Sequence, residues 1–99
     1  MADKIQFNGF EPTFQLKRAL KDMLLRVEHL GPSRSTRTAE ISKSHKGYLG
    51  KIKVNSSAGI FEVQLNSSNP DELLDNLRIQ ICNRFDIWKK SRLEEVNYT

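Results

Sequence analysis

Two histidines, one cysteine and twelve acidic side chains are the groups in this 99-residue chain that could bind a metal or move a proton. Their spacing favours neither. His29 and His45 stand at no metal-ligand interval from Cys82 or from the acids, whereas a zinc site needs several donors converging on one point. The chain has no Gly-x-Ser-x-Gly elbow, no phosphate-binding glycine loop and no dinucleotide fingerprint. His29 falls in the last turn of a helical segment, where a partly cationic imidazole suits the helix dipole. His45 sits in a turn between Lys43 and Lys46, within reach of RNA or of solvent alone. Cys82 flanks an apolar helical stripe, a place for a packed thiol rather than a nucleophile. These features argue against an enzyme and imply no cofactor, no metal and no small-molecule substrate.

Positive charge is the stronger signal. The net charge is +4 and the pI near 9.4. Eleven Lys and Arg face five Asp and Glu up to Ser56, and five face seven from Ser57 onward. The stretch "NRFDIWKKSR", residues 83–92, ends an aromatic and apolar run in Lys89, Lys90 and Arg92. Such an ending suits any helix C-terminus, where cations complement the dipole. Lys17, Arg18 and Lys21 project away from the apolar stripe of an earlier helix, sharing its outer surface with Asp22, Glu28 and an outward Leu25. Arg34, Arg37, Lys43 and Lys46 add charge from loops, and Lys51 and Lys53 from the solvent face of a strand. If the two helices lie side by side, cations from both form one surface able to track a phosphate backbone. Rings for base stacking are scarce there. Phe7, Phe61, Phe85 and Trp88 read as core, which leaves Tyr48, Phe10 and Phe14 and favours shape and backbone contacts over single-strand reading.

The elements that must position these groups follow from periodicity. "KIQFN" alternates, with Ile5 and Phe7 on one face of a short strand. Leu16, Leu20, Met23, Leu24, Val27 and Leu30 make one helical stripe, capped by Thr13 and stopped at Gly31-Pro32. Three alternating runs follow, with Ala39 and Ile41, then Ile52 and Val54, then Phe61, Val63 and Leu65 on their apolar faces. Turns at "SHKG" and "NSSAG" join them as hairpins. Asn69 caps a second helix with Pro70 in its first turn, and Glu72 stands where it can reach back to the cap N–H. Leu74, Leu77, Ile81, Phe85 and Trp88 form its buried stripe. The expected fold is α+β, in the order β-α-β-β-β-α: a four-stranded, mainly antiparallel sheet with two helices packed on one face. Residues 1–99 make a single domain, with an ordered core over about 4–93 and a flexible tail at 94–99. The N-terminus lacks an apolar run of signal-peptide length, and one cysteine permits no internal disulfide, so the cytoplasm is the expected compartment.

This arrangement resembles the ribosome hibernation-promoting factors, also called ribosome-associated inhibitor or sigma-54 modulation proteins. The opening "IQFNGFEPTFQLKRAL" is similar to the family's Ile-x-Gly-x-x-x-Glu-x-Thr-x-x-Leu-Arg pattern through Ile5, Glu11, Thr13, Leu16 and Lys17, with Phe7 in the glycine's place. The second helix is similar through Leu74, Asp75, Leu77, Ile81 and Phe85, and Trp88 interrupts its basic end. The likeness covers roughly residues 4–93 and the short form of the family. It implies a translation inhibitor that binds ribosomal RNA on the small ribosomal subunit where messenger and transfer RNAs pass. The RNA-binding residues expected on that basis are Lys17, Arg18, Lys21 and Arg26 from the first helix and Lys89, Lys90 and Arg92 from the second. Lys17 follows from the motif, and the others follow from charge and facing. Their role is phosphate neutralisation, and the free protein is expected to be a monomer.

Two other readings compete. A double-stranded-RNA module commonly opens its last helix with lysines, but Pro70-Asp71-Glu72 would repel phosphate. A protein-interaction adaptor with no nucleic-acid role would use the open sheet face through Ile60, Tyr48 and Thr38. Lys51, Glu62 and Gln64 break up that face, and specific interfaces usually have an apolar centre.

Overall fold

The computed structural model describes residues 3–97, with side chains through residue 91. The elements run β1 (Asp3–Asn8), α1 (Phe14–Leu30), β2 (Thr36–Ser44), β3 (Gly47–Ser56), β4 (Gly59–Ser67) and α2 (Pro70–Asn97). The strands lie in the order β1-β2-β3-β4. β1 pairs parallel with β2, Ile5 beside Ala39 and Phe7 beside Ile41, and the other two pairings are antiparallel. Antiparallel neighbours need only a tight turn, whereas a parallel pair needs a crossover, which α1 supplies. The four-stranded α+β arrangement expected from periodicity is the one observed.

Alternation in each strand sends one set of side chains to the helices. Ala39, Ile41, Ile52, Val54 and Val63 are buried against Leu16, Leu20, Met23, Leu24 and Val27 of α1 and Leu73, Leu74, Leu77, Ile81 and Phe85 of α2. Each large aliphatic chain buried this way contributes roughly 1.5–3 kcal/mol. Gly50 lets α2 settle close to β3, because a Cβ there would stand 2.7 Å from Leu77 Cδ1 and 2.9 Å from Leu73 Cδ2.

The caps partly match expectation. Thr13 Oγ1 accepts from the Leu16 N–H at 3.1 Å, and the Gly31 N–H donates to the Val27 carbonyl at 2.9 Å. Gly31 is extended (φ −91°) rather than left-handed. Its smallness serves packing instead, since a Cβ there would lie 2.8 Å from the Phe85 ring. Asn69 Oδ1 accepts from the Asp71 and Glu72 N–H groups at 2.9 and 3.5 Å. The reciprocal bond expected from Glu72 is replaced, because the Asn69 N–H donates to Ser67 Oγ at 3.2 Å.

Three packing expectations change. Leu73 is fully buried beside the predicted stripe of α2. Leu30, at the end of α1, is 44% exposed. Trp88 is only half-buried. The expected division between a core ending at 93 and a tail falls beyond the described side chains.

Strand direction also orients the helices. β4 runs antiparallel to β3 and hence in the direction of β2, which is also that of β1. Helices α1 and α2 both start from the same end of the sheet, so they run parallel, and α2, with 28 residues against 17, continues past the end of α1. Lys89 and Lys90, expected to finish the second helix, lie inside it, because the helix runs on to Asn97.

Candidate nucleic-acid interface

Parallel helices with a shared core leave a groove between them, and its two ends differ in charge. Toward the N-terminal end of α2, Ala19, Asp22, Met23 and Arg26 from the middle of α1 face Asp71, Leu74, Asp75 and Arg78 of α2 around a groove of about 420 Å³. Three carboxylates there meet two guanidinium groups. At the C-terminal end of α1, its last residues, the loop through Ser33, the β3–β4 turn at Ser57-Ala58, and Trp88 and Lys89 from within α2 surround a cleft of about 520 Å³. Among the described residues its lining contains His29 and Lys89 and no carboxylate.

Lys17, Arg18, Lys21, Arg26, Lys89 and Lys90 are all exposed. Among the described residues, the ion pairs are Arg37 with Asp3 and Glu28, and Lys51 with Glu62, so none of these six cations is neutralised there by a close carboxylate. Arg92 lies outside the described side chains. The six do not all converge. Arg26 lies on the α2-facing flank of α1, in the mixed-charge groove. Lys17 is nine residues earlier, about half a turn round the helix, and Lys21 is also far round from Arg26. Arg18 and Lys21 fall on an outer stripe with Phe14 and Leu25, which are 73% and 53% exposed. Lys89 borders the C-terminal cleft, and Lys90 is on the outer face of α2.

Arg37, expected in a loop and adding surface charge, lies in β2 and is 5% exposed. Its Nε donates to Asp3 Oδ1 at 2.6 Å, its Nη1 to Ser35 Oγ at 3.0 Å, and its Nη2 is 3.6 Å from Glu28 Oε1. A guanidinium at this depth needs such partners. It straps β1 to β2 and α1 and is withdrawn from any ligand. Lys43 is in β2 as well, with its ammonium 5.4 Å from the centre of the Tyr48 ring.

The stacking candidates are also redistributed. Phe10 packs edge-on against both Phe7 and Tyr48, at 5.8 and 5.4 Å between ring centres. Tyr48 shares strand parity with Gly50 and Ile52, so it faces the helices. It cannot serve the open sheet face, where the adaptor reading would place it. That face carries the Lys51–Glu62 pair at 3.6 Å and the Asn8 amide donating to Glu40 and Ser42. Phe14 stays exposed. Trp88, expected in the core, reaches the wall of the C-terminal cleft, backed edge-on by Phe61, which in turn meets Phe85. Its helical spacing matched the apolar stripe, and only the end of the sheet beneath it distinguishes a wall from a core.

The thiol and the histidines offer no chemistry together. Burial pushes the Cys82 thiol above its ordinary value, against the lowering pull of Arg78 and with a smaller upward push from Asp86. Such a thiol is protonated and a poor nucleophile. His29 is at the C-terminal end of α1 and His45 in the β2–β3 turn, at opposite ends of the sheet. Among the described residues no group of three or more His, Cys, Asp or Glu is placed to hold a metal ion, and no helix is long and apolar enough to cross a membrane.

No protein-family model matches the sequence, and no curated protein is significantly similar to it. Solved structures are similar in fold. A ribosomal subunit interface protein from Coxiella burnetii superposes with a TM-score of 0.77 at 15% identity, covering 91% of this chain and 99% of that one. The N-terminal domain of Protein Y from Thermus thermophilus superposes at 0.62 and 16% identity, covering 84% and 98%. The chain therefore has the fold of these small α+β proteins over nearly its whole length.

Proposed function

We propose that this chain is a ribosome-associated, RNA-binding translation inhibitor of the hibernation-factor kind, cytoplasmic and without enzymatic activity. It binds ribosomal RNA of the small subunit through the basic faces of its helices. The observation that carries this reading is the set of exposed cations from both helices, with no close carboxylate among the described residues, on a fold shared with a ribosomal subunit interface protein. Lys89 and Lys90 lead the contact from the cationic end, and Arg18, Lys21 and Lys17 extend it along α1. Arg26 contributes less, because Asp22, Asp71 and Asp75 share its groove. Each cation neutralises a phosphate, and no bond is made or broken.

Co-sedimentation with ribosomes at two salt concentrations tests it. Each neutralised phosphate releases condensed counterions, so five contacts imply a roughly 100- to 500-fold loss of affinity between 50 and 200 mM salt. A response that is flat in salt, or no association at low salt, would refute the proposal.

A further inference from the structure

The C-terminal cleft differs from the rest of the cationic surface in being concave and partly aromatic. Its volume, about 520 Å³, falls in the range of sites that enclose small organic groups, roughly 300–1,000 Å³. Trp88 and the buried Pro32 supply apolar wall, Lys89 and His29 supply positive charge, and Ser33 and Ser57 supply hydroxyls. The indole is held by a chain of edge-on rings, with Phe61 centred 6.0 Å from Trp88 and Phe85 centred 5.1 Å from Phe61. The wall is thus set before any ligand arrives.

The end of α1 adds a second kind of group. A helix leaves its last carbonyls without in-helix donors. The Val27 carbonyl is taken by the Gly31 N–H, but Pro32 has no N–H to offer the Glu28 carbonyl one turn back. Acceptors therefore point toward the end of the helix where the cleft opens. An exocyclic amine of adenine, guanine or cytosine is the matching donor.

We infer that this cleft takes one unpaired base of a bound RNA, with its ring on Trp88 and its adjoining phosphate on Lys89 and His29. The inference rests on the proposed RNA-binding role and adds a base contact to a surface otherwise limited to phosphates. Extruded bases are commonly held on aromatic side chains in this way.

Trp88 is the chain's single tryptophan, so its fluorescence reports on the site directly. The full chain is titrated at low salt with a single-stranded RNA octamer and with an abasic strand of the same length and charge. The intact strand is expected to quench Trp88 emission and to bind about tenfold more tightly than the abasic one, as base–aromatic stacking implies. Trp88→Ala brings the two affinities together, and Trp88→Phe, which keeps a ring against Phe61, preserves much of the difference. The Phe variant guards against a folding defect in the Ala variant. Equal affinity and equal quenching for both strands, with steep salt dependence, would overturn the base site and leave the phosphate reading standing. Failure of both strands to bind would overturn the two together.

Discussion

The groove between α1 and α2 has a mixed-charge end and a cationic end, built on the same pair of parallel helices. At the N-terminal end, Asp71 and Asp75 sit in the first turns of α2 and Asp22 faces them from α1. Asp71, in the first turn, suits the α2 dipole, and the three acids surround Arg26 and Arg78 with opposite charge. At the other end the α1 dipole favours His29, whereas Lys89 lies about two turns before the end of α2. Both stand beside hydroxyls and an indole, with no carboxylate among the described residues of the lining. Local helix energetics and a binding role therefore ask for opposite residues at the start of α2, and they coincide only at His29. The helix preference alone explains His29, in the last turn of α1, and not Lys89 or Lys90. It does not explain a concave site with an aromatic wall.

The contrast is broken most directly by reversing charge. Lys89→Glu with Lys90→Glu removes two phosphate contacts and adds repulsion, so ribosome affinity at low salt falls on the order of 30- to 100-fold. Both side chains are exposed, and the melting temperature barely moves. Co-sedimentation alongside thermal unfolding checks this, and a large loss of stability with unaltered binding would mean that the pair serves the helix only. Arg26→Glu is expected to lose less than tenfold, because Asp22, Asp71 and Asp75 line the same groove and already repel a phosphate there. The weakest change has the opposite sign. Asp75→Asn relieves repulsion in the mixed-charge groove and raises RNA affinity about two- to threefold, readable by competition against the unmodified protein.

Stability sharpens the comparison from another side. Arg37→Ala leaves Asp3 without its partner and empties a buried position, at about 2 kcal/mol. Urea unfolding would measure it, and the affinity of the remaining folded protein is expected to be unchanged. A specific loss of RNA binding in that variant would return Arg37 to the interface. Asn69→Ala removes the α2 cap and costs about 1 kcal/mol, again with no effect at the C-terminal cleft.

Much of the fold was legible because its causes are local. Thr13 and Asn69 cap the helices they precede, and alternation through Ala39, Ile41, Ile52 and Val54 marks the buried face of the sheet. The candidate site was legible only as a set of charges. Lys89 and Lys90 stand out from composition, yet nothing near Arg37 in the chain announces Asp3, thirty-four residues earlier and one strand away. Trp88 misled for a similar reason, since helical spacing assigns it to the stripe of Ile81 and Phe85.

The sequence by itself determined the order of elements, their caps and most of the core, because periodicity and capping involve residues within a turn or two of one another. Tertiary structure decided that the helices run parallel, that Arg37 is spent inside the fold, and that His29, Ser57 and Trp88 meet around one cleft. Those outcomes depend on strand direction and register, which bring together groups distant along the chain, and no local pattern encodes that distance.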